Sequence, residues 1–147
     1  MNTSVKNLFA YGTLMCAEIM RGVAGCLPST VPGVLLGYRR LAIKGELYPA
    51  LVAEEGARVE GVVYRTVPEA AWKRLDRFEG EIYSRHSVLI VLQDGGTLAA
   101  ETYVLRPEFQ DLLAQADWDY ADFLRNGKTR FQQHYQGYQE LGDTNHA

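Results

Sequence analysis

Glu79 and the segment Tyr11-Gly12-Thr13-Leu14 are the two places where residue type and spacing point to chemistry. Around Glu79, the run Leu75-Asp76-Arg77-Phe78-Glu79-Gly80 reads as the end of a helix that Gly80 stops. Ala71, Leu75 and Phe78 fall on one apolar face, and Trp72, Leu75 and Glu79 keep i, i+3, i+7 spacing, so Glu79 borders the buried stripe. The last turn of a helix carries partial negative charge and apolar neighbours oppose ionisation; both raise the pKa of a carboxyl placed there. A glutamate held near neutrality is suited to general acid/base work. Three charged neighbours compete for a role. Glu81 follows Gly80 into an exit loop, where a solvated side chain is expected. Asp76 is expected to hydrogen-bond locally or to pair with a basic neighbour. Arg85 is expected either to bind a carboxylate or to pair with Asp76 or Glu81.

The Tyr11 to Leu14 segment follows an apolar strand around Leu8 and Phe9 and leads toward a helix near Cys16 to Arg21. Backbone N–H groups at such a strand end are unpaired and can point at a ligand carboxylate or a developing oxyanion. Gly12 permits a backbone geometry or a close ligand approach that a Cβ would obstruct. A plain structural turn is the competing reading.

The elements that must position these residues follow from local pattern. Thr66-Val67-Pro68-Glu69 has the form of a capping box and predicts the start of the helix that ends at Gly80. Val34 to Ile43 reads as a strand interrupted by Gly37, and Gly45-Glu46 turns it into Leu47 to Val52, where Pro49 marks an edge or bulge. Glu54 to Arg58 reads as a polar connection to a strand over Val59 to Val67. Ser84 to Leu92 and Thr97 to Leu105 are strands joined by a hairpin at Asp94-Gly95-Gly96. Beyond Arg106-Pro107, Phe109 to Ala114 and Trp118 to Leu124 predict short helices, and Phe131, Tyr135 and Tyr138 an aromatic stripe on a third. That stripe packs on the strands, closes a pocket or forms a homodimer contact. Strand, helix and hairpin in this order specify an α+β domain without the repeated crossovers of a parallel sheet.

Composition sets the limits. The chain has 147 residues and 47% hydrophobic content, enough for one core, so 1–147 is read as a single domain with a helical region from about 107. A net charge of −3 argues against nucleic acid and anionic membrane as partners. The segment Met1 to Lys6 lacks an apolar signal core and no stretch is long enough to span a membrane, so a cytoplasmic location is expected. Cys16 and Cys26 are expected to be reduced thiols, and His86, His134 and His146 do not form a metal-ligand spacing, so no metal or cofactor is expected. The tail from Gly142 to Ala147 reads as disordered.

The ordered set of motifs resembles the gamma-glutamylcyclotransferase-like superfamily, including its gamma-glutamylamine cyclotransferase and avirulence-induced-gene-like branches. The residues that carry the resemblance are Tyr11 to Leu14, Gly33 and Gly37, Tyr48-Pro49-Ala50-Leu51, Val59 to Tyr64, Leu75 to Gly80, Tyr83-Ser84-Arg85 and Thr102-Tyr103-Val104. The resemblance implies a small mixed β-barrel with helices around it, Glu79 in the catalytic glutamate position, and substrate binding by Tyr11, Gly12, Thr13 and Leu14, with Tyr103 near the pocket. It also implies release of 5-oxoproline from a gamma-glutamyl amine or amino acid, without a cofactor. The alternative is a small-molecule-binding or regulatory protein on the same barrel.

Overall fold

Alternation in the first strand sets the architecture. In β1 (Lys6–Ala10), Leu8 and Ala10 face one way and Phe9 the other, because successive side chains leave opposite faces of a strand. Phe9 and the following Tyr11 pack with Leu35, Leu51, Val63 and Ile90, all strand residues, and fill the inside of a barrel. Leu8 and Ala10 join the larger core outside it, with Ile19, Met20, Val23, Trp72, Leu75 and Phe78. The computed structural model describes residues 6–134.

The other strands are β2 (Thr30–Ile43), β3 (Pro49–Val67), β4 (Tyr83–Leu92), β5 (Thr97–Leu105) and β6 (Leu113–Asp117). They run β3-β1-β5-β4-β2-β6, and β2 pairs back onto β3, which closes the first five into a barrel with β6 on the outside of β2. The β1–β5 pairing is parallel and the others are antiparallel, so the barrel is mixed, as the resemblance implied. Two amphipathic helices cover it: α1 (Ala17–Ala24), which buries Ile19, Met20 and Val23, and α2 (Glu69–Glu79), which buries Ala71, Trp72, Leu75 and Phe78. The apolar face expected of α2 is the face it buries.

Four local readings are corrected. The capping box does not form: the residue before α2 is Pro68 in extended conformation, with no side-chain cap, while Thr66 sits at φ 56° and its N–H donates to Asn7 Oδ1. The Asn7 side chain has taken the backbone N–H that the reciprocal half of a capping box would need. Glu54 to Arg58 is not a separate connection but a bulge within β3, since pairing holds on both sides of it, at Leu36 with Arg58 and at Tyr38 with Ala53. The expected helix Phe109 to Ala114 is a 3₁₀ turn (Pro107–Leu112) followed by β6, whose residues pair with the end of β2. The expected helix Trp118 to Leu124 starts later. It is built from α3 (Tyr120–Asp122), a wider π-type turn (Phe123–Gly127) and α4 (Lys128–His134). Tyr135, Tyr138 and the tail Gly142 to Ala147 lie outside the described residues. Both cysteines are free thiols. Among the described residues no helix is long and apolar enough to cross a membrane.

Candidate active site

The end of β1 and the end of α2 meet at one narrow, mostly apolar cavity. It is lined by Tyr11, Gly12, Thr13, Leu14, Glu79 and Tyr103, so the structure brings the candidate glutamate together with the candidate substrate-binding residues, while Asp76, Glu81 and Arg85 do not line it. Tyr48, Pro49, Phe78, Tyr83 and Phe131 complete the wall with the first residues of β1. Glu79 is the one carboxylate among the described residues that line it.

Glu79 is the last residue of α2, and Gly80, at φ 81°, ends the helix in a conformation that favours glycine. The carboxyl is desolvated, and the neighbouring charge of Asp76 opposes its ionisation; its pKa rises from 4.5 to about 8, with burial the larger cause. The raised value expected from the sequence is present, but its second cause is Asp76, one turn back on the same helix. Asp76 is itself held: Oδ1 accepts from the Tyr103 hydroxyl at 2.6 Å, and Oδ2 is 3.7 Å from Arg85. Arg85 therefore takes the structural option, pairing with Asp76 and Glu101 and lying 4.6 Å from the centre of the Trp72 ring. Glu81 is exposed and outside the cavity wall, as expected.

The loop opposite Glu79 has an unusual hydrogen-bond balance. Each of its four carbonyls has a donor: Tyr11 O from Arg40 Nη1 at 2.8 Å, Gly12 O from the Met15 N–H, Thr13 O from the Cys16 N–H, and Leu14 O from the Tyr64 hydroxyl at 2.6 Å. Among the described residues, none accepts a hydrogen bond from the Gly12, Thr13 or Leu14 N–H. A trans peptide points its C=O and N–H in opposite directions, so tying back each carbonyl directs the N–H of the next residue the other way. Such donors suit an oxyanion or a carboxylate. Gly12 has a reason other than the one read from the sequence. A Cβ there would lie 2.8 Å from Pro49 Cγ and 2.9 Å from Cδ, so the glycine makes room for the opposite wall of the cavity.

Tyr11 and Tyr103 are both buried against the cavity, and both spend their hydroxyl protons on the protein. Tyr11 donates to Tyr103 O at 2.7 Å and Tyr103 donates to Asp76. Burial raises both pKa values, and the Glu79 charge adds to each. Their hydroxyls brace the site as neutral groups. Tyr83 does the same for the far wall, donating to Pro49 O at 2.6 Å. Sequence reasoning assigned no pocket role to Tyr48, Pro49, Phe78 or Tyr83. Tyr48-Pro49 and Tyr83 stood in the matching motifs, and that was the available clue. Of the aromatic stripe, Phe131 lies on the cavity wall and packs against Tyr48, Phe78 and Phe123 with ring centres 5.7 to 6.4 Å apart.

Comparison with known proteins places these features in a family. The sequence model of the family described as gamma-glutamyl cyclotransferase, AIG2-like matches residues 8–120. AIG2-like protein C of Arabidopsis thaliana is 31% identical over 126 residues, covering 85% of this chain and 73% of that protein. The solution structure of another Arabidopsis thaliana protein superposes with a TM-score of 0.69 at 27% identity, covering 97% of this chain and 95% of that one. A structure titled gamma-glutamyl cyclotransferase has a TM-score of 0.65 over 95% of this chain and 87% of its own; at 14% identity it shows the shared fold alone.

Proposed function

The chain belongs to the gamma-glutamyl cyclotransferase, AIG2-like family, and we propose on that premise that it converts a gamma-glutamyl compound to 5-oxoproline and a free amine. The observation that carries the proposal is Glu79, the cavity's carboxyl with a pKa near 8, facing a loop whose Gly12, Thr13 and Leu14 N–H groups have no acceptor among the described residues.

The substrate supplies its own nucleophile. The alpha-amine attacks the gamma-carbonyl carbon, a five-membered lactam closes, and the bond to the gamma-nitrogen breaks, with no water consumed. Intramolecular attack removes much of the entropic barrier once the chain is held folded. What remains is proton transfer and charge. Glu79 takes a proton from the alpha-nitrogen, whose reference pKa is about 8, and returns one to the departing nitrogen. Because the two pKa values are close, the first transfer runs without a steep energetic step. The loop N–H groups bind the tetrahedral oxyanion or the alpha-carboxylate. The chemistry asks for neither a metal nor an enzyme nucleophile.

The test is a panel of gamma-glutamyl amines, gamma-glutamyl amino acids and glutathione-derived peptides, each assayed for 5-oxoproline. Release from at least one class, in a catalytic amount, is expected and also identifies the leaving group. No release from any of them contradicts the proposal.

A further inference from the structure

Arg40 is an uneconomical residue for a barrel strand. It lies on β2 opposite Leu51 of β3, next to Arg39, which pairs with Asp117 at 3.0 Å and Glu54 at 3.5 Å. Arg40 is partly buried, and among the described residues no carboxylate lies within ion-pair distance of it. Its guanidinium instead sits 5.4 Å from the centre of the Trp118 ring and donates to the Tyr11 carbonyl. Trp118 is fixed in turn by its Nε1, which donates to Leu47 O at 2.9 Å. Burying a cation without a carboxylate costs stability. Desolvation pulls the Arg40 pKa below the ordinary guanidinium range, and the charges of Asp117, Asp119 and Glu60 only partly oppose this. A neutral amide would satisfy one carbonyl at lower cost, so the hydrogen bond alone does not account for the charge.

The geometry points to Arg40 as a positioning residue that orients and polarises the Gly12 N–H from behind the substrate loop. The inference rests on the proposed role of that loop in cyclisation. The carbonyl that Arg40 holds and the Gly12 N–H belong to the same peptide unit and point in opposite directions. Holding the carbonyl fixes the direction of the N–H. A full positive charge on the carbonyl oxygen also draws electron density across the unit, which makes the N–H a stronger donor. An anion beyond Gly12 then feels a cation one peptide away without a cation in the cavity, where it would favour the Glu79 carboxylate and undo the raised pKa. The three other loop carbonyls have neutral donors, so the charge falls on one peptide only.

Three variants separate the parts of the inference. Arg40→Met keeps an apolar stem against Trp118 and removes donor and charge; Arg40→Gln keeps a neutral donor; Arg40→Lys keeps a charged one. Losing an oxyanion donor outright costs roughly 10²- to 10³-fold, so misorienting and depolarising one should lower kcat/KM by about 10- to 100-fold in Arg40→Met. Arg40→Lys should recover part of that loss and Arg40→Gln less, a ranking that a merely structural role would not produce. Thermal melting of each variant confirms folding. The amide ¹⁵N resonance of Gly12 gives a readout independent of turnover and should move in Arg40→Met. If the wild-type protein releases no 5-oxoproline, the functional reading fails while this resonance still tests Arg40. Full turnover in Arg40→Met or Arg40→Gln, or an unmoved Gly12 resonance, overturns the inference.

Discussion

Replacing Glu79 by Gln should stabilise the protein, and increasingly so as the pH is raised. In the unfolded chain the carboxyl titrates near 4.5 and in the folded chain near 8, because burial and Asp76 oppose the charge. Below the first value both states are protonated and the folded state carries no penalty. Between the two, the folded state keeps a proton that the unfolded state has released, so the free energy of unfolding falls with each step up in pH. Above about 8 both states are ionised and the loss stays constant. At about 1.4 kcal/mol per pH unit, the full gap is about 5 kcal/mol. Glu79 is partly exposed as a residue, and solvation trims the expected gain to about 2–4 kcal/mol. Glutamine has nearly the shape of the protonated acid, so the two proteins should agree below the unfolded carboxyl's value of 4.5 and diverge by that amount above about 8. Urea unfolding of both at a series of pH values measures the difference and cancels the titration of every other group. Parallel stability curves would refute the claim that this carboxyl is desolvated.

Two further predictions concern the same cavity. Asp76→Asn should move the acidic limb of the kcat/KM profile to lower pH, while leaving it above the ordinary carboxylate range, because burial is the larger cause of the Glu79 shift; a limb that does not move removes Asp76 from the account. Gly12→Val should abolish binding of a gamma-glutamyl ligand by calorimetry, since its Cβ would press on Pro49 across the cavity, whereas Thr13→Ser should bind within a few-fold of wild type; equal binding by both would make the loop a structural turn.

Features set by neighbours in sequence were readable before the structure. The apolar face of α2, its stop at Gly80 and the hairpin at Asp94-Gly95-Gly96 depend on residues a few positions apart, and each appears as read. The readings that failed depend on what lies across the barrel. Leu113 to Asp117 has little strand pattern of its own and becomes β6 by pairing with the end of β2. Thr66 has the sequence spacing of a cap, but α2 starts after Pro68 and the Thr66 N–H is taken by the side chain of Asn7, distant in sequence. The site divides in the same way. Glu79 and the Tyr11 to Leu14 loop were legible because a helix end and a strand end advertise themselves locally. Arg40 was not, because nothing in the sequence of β2 marks which of two adjacent arginines faces the Tyr11 carbonyl and which meets Asp117 and Glu54. Gly12 was noticed for a backbone geometry or a ligand's close approach, and the room it leaves for Pro49 was not foreseen.

The central claim is that Glu79 moves the protons of lactam closure. It is tested most directly by the turnover of Glu79→Gln on whichever gamma-glutamyl compound the wild-type protein cyclises fastest, with 5-oxoproline identified as the product. A positioned acid/base contributes about 10²- to 10⁴-fold, so a folded Glu79→Gln protein should lose kcat by that factor and still bind the substrate. Near-native turnover in that variant would contradict the account.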